Sequence, residues 1–170
     1  MMKSLSFAAA LILALPGAAP ALEALKPGAK VAFFGIHFID TSTEGAINGV
    51  RADETARLAL LEEEVRDRFL AEGFDLVDTT PVAEELGRTQ NPAHCNDCEV
   101  RMAERLGADY SLVGEVQKVS NLILSMNLAL READTGDLVR MLAVDIRGNT
   151  DESWLRGGQY ILDNHVFAEE

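Results

Sequence analysis

The chain of 170 residues is 48% hydrophobic, which is enough to build one domain with a substantial core. It has 28 acidic residues against 15 Lys and Arg, and its formal net charge is −13 at pH 7. This balance argues against the positively charged surface that binding to nucleic acid or to anionic lipid requires. The acids are spread along the chain, which is typical of solvated helix faces.

The first residues have the features of a signal peptide. Lys3 gives a positive start, and residues 5–15 form an apolar run that is too short to span a membrane. Ala19-Pro20-Ala21 fits a small-x-small cleavage site. We therefore predict a signal peptide at 1–21 and a single globular domain at 22–170, exported to the periplasm or secreted. The mature chain is expected to have no lipid-anchor cysteine and no membrane span.

Two strands and three helices are predicted before residue 110. The segment from Val31 to Ile39 is apolar on both faces, which indicates a strand buried on both sides. Residues 40–51 are predicted to form a polar loop. Apolar residues then recur at helical spacing until Gly73 ends the helix: Leu58, Leu61, Val65 and Phe69. This half is completed by a strand at 74–77 and by helices at 80–86 and 97–106.

The stretch from Leu106 to Asn149 predicts three antiparallel strands. Its middle alternates with period two, so that one face carries Leu122, Leu124, Met126, Leu128 and Leu130. The next run alternates in the same way, with Leu142, Val144 and Ile146 on one face. One apolar face of this meander therefore needs helices to cover it.

Two three-residue loops are predicted to set the pairing of these strands. In the loop Asp134-Thr135-Gly136 the glycine takes the left-handed conformation, and Ala133 then pairs with Asp137. In the loop Val119-Ser120-Asn121 the asparagine takes that conformation, and Lys118 pairs with Leu122. A one-residue slip in either pairing would turn the leucines to water.

A last helix is predicted after the meander, capped by Thr150 or Asp151 and carrying Trp154 on its apolar stripe. The fold class is therefore α+β, with the element order βαβααβββα. The sheet is expected to be mixed, with a C-terminal three-stranded antiparallel meander covered by helices.

Four stretches resemble a family of predicted secreted bacterial proteins of unknown function: VAFFGIHFID, LGADYSLVGEV, KVSNLILSMNLALREADTG and DIRGNTDESW. The layout also resembles the amino-terminal domain of TolB and the core of the curli secretion protein CsgG. Domains of those two kinds are periplasmic assembly and protein-contact modules, not catalysts. The resemblance therefore implies an accessory role in the cell envelope. The chain lacks TolB's propeller repeats and CsgG's lipid-anchor cysteine.

The two cysteines, Cys95 and Cys98, form a CxxC pair. In an oxidising compartment such a pair predicts a local disulfide that fixes the loop. A redox-active pair of thioredoxin type is an alternative, although the motif does not follow the opening strand of a βαβ unit. A zinc or copper site made of His94, Cys95 and Cys98, with Asp97 or Glu99, is another. No cofactor is predicted from the sequence.

A candidate binding surface follows from the hairpin geometry. The β-turn at residues 120–121 and the end of the last strand return to the same edge of the sheet. If the first strand is parallel to the Tyr110 strand, its end reaches that edge too, where ligands tend to lie. We therefore predict a polar cluster there, made of Asp40, Lys118, Ser120, Asn121, Arg147, Asn149 and Asp151. Capping and turn formation would explain each of these residues singly.

The sequence contains no GxSxG, phosphate-loop or HExxH pattern, so no catalytic constellation is predicted. The leading hypothesis is a soluble, non-catalytic periplasmic accessory module that binds an envelope protein. A second hypothesis is a thiol-redox or metal-handling protein acting through Cys95 and Cys98. A third is an accessory of a periplasmic oxidation system.

Overall fold

The computed structural model describes residues 24–168, so the predicted signal peptide lies outside the described residues. Five strands form one mixed sheet with the order β2-β1-β3-β4-β5. Strand β1 is parallel to both β2 and β3, whereas β3, β4 and β5 form an antiparallel meander. The strand bounds are β1 Lys30–Asp40, β2 Asp75–Leu76, β3 Tyr110–Ser120, β4 Ile123–Glu132 and β5 Leu138–Arg147.

The described residues contain five α-helices: α1 Thr43–Asn48, α2 Ala52–Ala71, α3 Ala83–Arg88, α4 Cys98–Arg105 and α5 Asp151–Ile161. Short 3₁₀ turns at Thr80–Val82 and Pro92–His94 precede α3 and α4, and a π-helical turn at Leu162–Val166 continues α5. The α+β class and the predicted order are confirmed. Helix α1 is an addition, because the predicted polar loop at 40–51 folds into a short helix that the Ser42 side chain caps.

Helices α2 and α5 cover one face of the sheet. Their apolar stripes pack on the even-numbered residues of β4 and on β1 and β3, and Trp154 lies fully buried among them. Helix α5 comes very close to the sheet and to α2 through Gly157 and Gly158. A Cβ atom at these positions would lie 2.6 Å from Ile146 and 2.5 Å from Leu61, respectively. Helices therefore cover the apolar face of the meander, as predicted.

The other face of the sheet is covered only in part. Helices α3 and α4 pack over β1 and β3 and form a second, smaller core that includes Phe34, Met102 and Val113. On β5 the residues that point to this second face are exposed, including Met141 and Arg147. The sheet thus runs from a centre buried on both sides, at β1 and β3, to an edge strand that is open on one side.

The β4–β5 hairpin has the predicted register over most of its length. Leu124 faces Ile146, and Gly136 in the turn has a φ of 77°. Close to the turn the prediction is wrong, because the Glu132 N–H donates to the Asp137 carbonyl at 2.9 Å and Ala133 does not face Asp137. A bulge at the step from Leu130 to Arg131, which pair with Arg140 and Leu138, takes up the difference of one residue.

The β3–β4 hairpin is tighter than predicted. Lys118 faces Leu124 and not Leu122, and Ser120 faces Ile123 across a two-residue turn. The Ser120 hydroxyl accepts hydrogen bonds from the N–H groups of Leu122 and Ile123, each at 3.2 Å. Asn121 does not adopt a positive φ, so its predicted left-handed conformation is wrong. A shift of two residues leaves the side chains from Leu124 onward on their predicted faces, because side chains alternate with period two. Leu122 was predicted on the buried face, and that prediction is wrong, because the residue falls in the turn and is 72% exposed.

Candidate partner-binding end of the sheet

Five of the seven predicted cluster residues belong to one hydrogen-bonded network at one end of the sheet. Asp40 faces Lys118 because β1 and β3 are parallel. The Asn149 N–H donates to the Asn121 carbonyl at 2.9 Å, and this bond brings the segment after β5 to the β3–β4 turn. Asp151 joins through Arg57, whose Nε donates to its carboxylate at 2.9 Å. We call this part of the molecule the turn end: residues 43–51, 119–123 and 147–151.

Lys118 is the centre of the network, and its side chain is 0% exposed. Its ammonium lies 2.6 Å from the carboxylate of Glu54, 3.2 Å from that of Asp40 and 3.4 Å from that of Glu44. The sequence predicted Lys118 as part of a binding surface, but the side chain points into the core side of β3. A buried ammonium is stable only when carboxylates compensate it. Lys118 therefore holds the turn end together from inside and is not available for direct contact with a partner.

The pKa values of Lys118 and Asp40 follow from their contacts. Burial alone would lower the pKa of Lys118, but Glu54 and Asp40 outweigh it and raise that pKa above its usual value. Burial alone would raise the pKa of Asp40, yet hydrogen bonds from Ser42 and Lys118 hold it below its usual value. Both groups are therefore charged at neutral pH.

Asn149 connects the buried carboxylate of Glu54 to the last helix. Its amide nitrogen donates to Glu54 at 2.7 Å, and its carbonyl oxygen accepts from the Trp154 indole at 3.0 Å. The same oxygen accepts a longer bond of 3.3 Å from Arg57. The second carboxylate oxygen of Glu54, Oε2, is buried and has no hydrogen-bond partner among residues 24–168.

Helix α1 is fastened to the β3–β4 turn through Glu44. The side chain of Asn121 donates to the Glu44 carboxylate at 2.5 Å, and Arg51 pairs with the same carboxylate at 3.1 Å. The hydrogen bond from Asn121, followed by the charges of Lys118 and Arg51, lowers the pKa of Glu44 against a smaller effect of burial. The α1 segment and the turn are thus held in a fixed relation although neither has a core of its own.

Ser120 and Arg147 lie at the same end but outside this network. Ser120 organises the turn through the hydrogen bonds described above. The Arg147 carbonyl accepts a hydrogen bond from the Ser153 hydroxyl at 2.9 Å, and Arg147, which is exposed, is one of the residues around a groove between β5 and α5. The predicted placement of Ser120 and Arg147 at one end of the sheet therefore agrees with the structure, whereas binding by any of the seven residues stays a prediction.

Large apolar side chains are exposed on the segments that the network holds. Ile47 is 76% exposed, Val50 80% and Leu122 72%, and Val119 and Ile123 beside the turn are also exposed. Ile47 belongs to α1 and Val50 to the loop after it, while Leu122 is a residue of the turn. A group of exposed apolar residues on fixed loops, rimmed by polar groups, is typical of a surface that another protein covers.

Sequence reasoning missed Glu44, Glu54 and Arg57, which complete the network. Lys118 provided the clue, because it falls on the same face of β3 as Leu112 and Val116. A cation on a core-facing position requires buried carboxylates nearby. Which carboxylates meet it depends on how α2 crosses the sheet, and a periodic pattern does not contain that information.

The second chemical feature, the CxxC pair, lies in a different part of the molecule, on the α4 side of the sheet. Cys95 and Cys98 form a disulfide with their Cα atoms 5.4 Å apart. Asn96 and Asp97 between them have φ values of 57° and 60°, in the left-handed region. A carboxylate oxygen of the buried Glu99 lies 3.2 Å from the Cys95 sulfur.

The predicted metal ligands are not all brought together. His94 turns its Nε2 atom toward Glu115, at 3.1 Å. The ligand atoms that lie within 4.8 Å of one another among the described residues belong to Cys95, Cys98 and Glu99. While the disulfide is formed, neither sulfur is a thiolate, so the oxidised pair does not offer the ligands that zinc or copper takes.

The chain belongs to the family described as "Protein of unknown function (DUF2380)", whose model matches residues 29–166. No curated protein sequence matches the chain. Among residues 24–168 no helix combines the length and the apolar character that crossing a membrane would need.

The fold is similar to that of the LpoB C-terminal domain. The structure from Salmonella enterica has a TM-score of 0.52 and 16% identity, and covers 72% of this chain and 85% of its own. The structure from Escherichia coli has the same TM-score and identity, with coverages of 73% and 86%. TolB from Acinetobacter baumannii is more distant, with a TM-score of 0.36, 10% identity and coverages of 74% and 25%. At these identities the likeness concerns the fold alone.

Proposed function

We propose that the chain is an exported, non-catalytic accessory module that binds another protein of the cell envelope through the turn end. The carrying observation is that Ile47, Val50 and Leu122 are exposed on segments held by the Lys118 network. Exposed apolar residues on mobile loops lose conformational entropy when a partner covers them. Because these loops are already fixed by Glu44 and Asn121, less conformational entropy is lost when a partner covers them than would be lost with mobile loops.

The chemistry of the turn end favours a protein partner over other ligands. Its exposed large side chains are apolar, and charged residues of both signs, Arg51, Arg147 and Asp151, belong to the same end of the sheet. An apolar centre with a polar rim is the usual composition of protein–protein interfaces. The partner surface is therefore expected to be apolar in the middle, with charged groups around it.

Export to an oxidising compartment agrees with two features of the chain. The first is the sequence of residues 1–21, with its charged start and short apolar run. The second is the disulfide between Cys95 and Cys98, which persists in such compartments. Mass spectrometry of the protein from its native host tests export directly, since a mature chain that still carries Lys3 would contradict it.

Differential capture tests the binding surface. The purified protein is used as bait against periplasmic extract of its native host, with Ile47→Asp and Leu122→Asp combined in one variant. The control is Leu70→Asp, an exposed leucine on α2 that lies sixteen residues beyond Glu54, about 24 Å along the helix. We expect the double variant to lose the captured protein and the control to retain it, with equal melting temperatures. Equal capture by both variants would contradict the proposal.

A second candidate function is thiol chemistry at Cys95 and Cys98. The observation that favours it is the buried Glu99 carboxylate, 3.2 Å from the Cys95 sulfur, which is placed to exchange a proton with a thiol. Reduction by a dithiol, which is itself oxidised to a disulfide, would give two thiols at Cys95 and Cys98. With Glu99 these already lie close enough to act as ligands for zinc or copper. Thiol titration with and without reductant, combined with elemental analysis, separates a permanent disulfide from a reactive pair and from a metal site.

A further inference from the structure

The outer edge of β5 and the groove beside it form a feature that the turn-end network does not use. Strand β5 is the last strand of the sheet, so the side of its backbone that faces away from β4 has no neighbouring strand among the described residues. A groove of about 500 Å³ runs between this edge and α5. Its walls are residues 144–147 of β5 and Ser153, Arg156, Gly157 and Tyr160 of α5.

The register shows which backbone groups of β5 point outward. The Gly148 N–H donates to the Leu122 carbonyl at 3.2 Å, so the pair 122 and 148 is a hydrogen-bonded pair of the antiparallel ladder. Such pairs recur at every second residue, so the even-numbered residues of β5 direct their N–H and C=O groups to β4. The odd-numbered residues direct theirs outward, in agreement with the bond from the Met141 N–H to the His165 ring at 3.3 Å.

The outer edge is protected over its first half and open over its second. Near Met141 the π-helical turn at Leu162–Val166 lies against the edge and supplies His165 as an acceptor. Beyond it, Ala143 and Asp145 are exposed, and no described residue binds their outward backbone groups. The edge therefore opens along the groove, and an open edge is a template for an added strand.

Charge and shape indicate what would add there. Gly157 is one of the residues around the groove, and Tyr160 on its α5 side is about half exposed. Arg147 has no ion-pair partner among residues 24–168, and Arg156, another residue around the groove, pairs with the exposed Glu152. An extended segment with an acidic side chain near Arg147 would satisfy both the backbone groups and this charge.

We propose that β5 accepts an extended peptide segment of a partner protein as a sixth strand, with an acidic residue of that segment paired with Arg147. This inference deepens the proposed function, since Arg147 lies at the turn end, and it names the kind of segment that the partner supplies. The backbone N–H and C=O groups of Ala143 and Asp145 provide the hydrogen bonds, and Tyr160 packs against the segment's side chains.

A proline substitution tests the added strand without breaking the sheet. The Asp145 N–H points outward, so Asp145→Pro removes no bond to β4 but blocks the edge. Asp145→Ala is the matched control, because it removes the same charge and keeps the N–H. The probe is an acetylated peptide of about eight residues, alternating Thr and Val with one central Glu. Its affinity is measured by fluorescence anisotropy, and melting temperatures report whether each variant is folded.

We expect the proline variant to bind the peptide at least about tenfold more weakly than the alanine control, since the N–H of residue 145 is lost and the proline ring hinders the approach of the added strand. Replacing the peptide's Glu by Lys, or Arg147 by Ala, is expected to weaken binding in the same way. Amide exchange at Ala143 and Asp145 slows when the peptide is bound.

The inference would be overturned if the Glu peptide did not bind at millimolar concentration, or if the proline and alanine variants bound it equally well. It would also be overturned if a peptide with every second amide N-methylated bound with unchanged affinity. A fourth contrary outcome is concentration-dependent self-association of the protein that Asp145→Pro abolishes. The last would assign the edge to a second copy of the chain. The capture test changes Ile47 and Leu122, whereas the peptide test changes Asp145 and Arg147. The turn-end proposal can therefore fail or survive independently of the added strand.

Discussion

Lys118 and Glu54 are paired in the interior, with the ammonium 2.6 Å from a carboxylate oxygen and both side chains 0% exposed. The pair joins β3 to the first turn of α2, and through Asp40 and Asn149 it also joins β1 and the segment after β5. One buried cation therefore fixes four segments at one end of the sheet. The binding residues proposed above depend on this pairing for their positions but do not include Lys118 itself.

Replacing Lys118 with Ala is expected to lower the free energy of unfolding by about 3–5 kcal/mol, because buried carboxylates then lose their compensating charge. Lys118→Met, which keeps most of the volume, is expected to lower it nearly as much. Urea unfolding followed by circular dichroism measures both. The exposed Lys30 provides the control, since Lys30→Ala is expected to change stability by less than about 0.5 kcal/mol. A Lys118→Met variant as stable as the wild type would show that the network is not needed for the fold.

Acid is expected to destabilise the protein through this end of the sheet. The pKa of Asp40 is lowered in the folded state, so its contribution is complete above the unfolded pKa of about 3.9 and is lost as the pH falls through the folded value. Glu44, whose pKa is lowered by Asn121, acts in the same direction. The melting temperature should therefore decrease as the pH is lowered below about 4.

Asp40→Asn is expected to reduce that dependence, and the same change at Asp134, an exposed residue of the β4–β5 turn, serves as the control. Melting curves between neutral and acidic pH measure the difference. If Asp40→Asn and Asp134→Asn had equal slopes of melting temperature against pH, Asp40 would not be a source of the acid sensitivity.

The sequence predicts the sheet well because period-two alternation is a strong pattern. The leucines at 124, 128 and 130 indicate the buried face of β4, and the structure buries all three. The pairing of Lys118 was wrong by two residues for a physical reason. A shift of two preserves the face of every side chain, so hydrophobic patterning does not discriminate between the two registers.

The candidate site was predictable as far as topology decides it. Parallel β1 and β3 place Asp40 beside Lys118, and the hairpins return Asn121 and Asn149 to the same end. The burial of Lys118 was not foreseen, although its position on the core face of β3 implies it. The contribution of Glu54 depends on the angle and height at which α2 packs on the sheet, which follow from side-chain packing and not from periodicity.

The disulfide is expected to contribute little to stability. It closes a loop of only four residues, so the chain-entropy effect is about 2 kcal/mol or less. Inside the closed loop, Asn96 and Asp97 adopt left-handed backbone conformations, which cost roughly 1–2 kcal/mol per residue. The free energy of unfolding of the double variant Cys95→Ala/Cys98→Ala should therefore lie within about 2 kcal/mol of the wild-type value. Two free thiols in freshly isolated, non-reduced protein would contradict the disulfide itself.

The close approach of α5 to the sheet and to α2 predicts that alanine destabilises the protein at both Gly157 and Gly158. A Cβ at Gly157 would lie 2.6 Å from the Ile146 side chain, in a part of the core where Met126 also packs. Overpacking of this kind costs typically about 1–3 kcal/mol, and the gain in helix propensity of about 1 kcal/mol offsets only part of it. Gly157→Ala is therefore expected to destabilise the protein, and Gly158→Ala, which meets Leu61 at 2.5 Å, to do the same.

The matched control is Gly87, which lies in helix α3, is exposed, and would bring a Cβ within 4 Å of nothing. Gly87→Ala gains helix propensity without a clash and is expected to stabilise the protein by about 0.5–1 kcal/mol. Urea unfolding of the three variants measures the signs directly. If Gly157→Ala and Gly87→Ala were both stabilising, α5 would lie further from β5 than described here. The groove between β5 and α5 would then be wider than about 500 Å³.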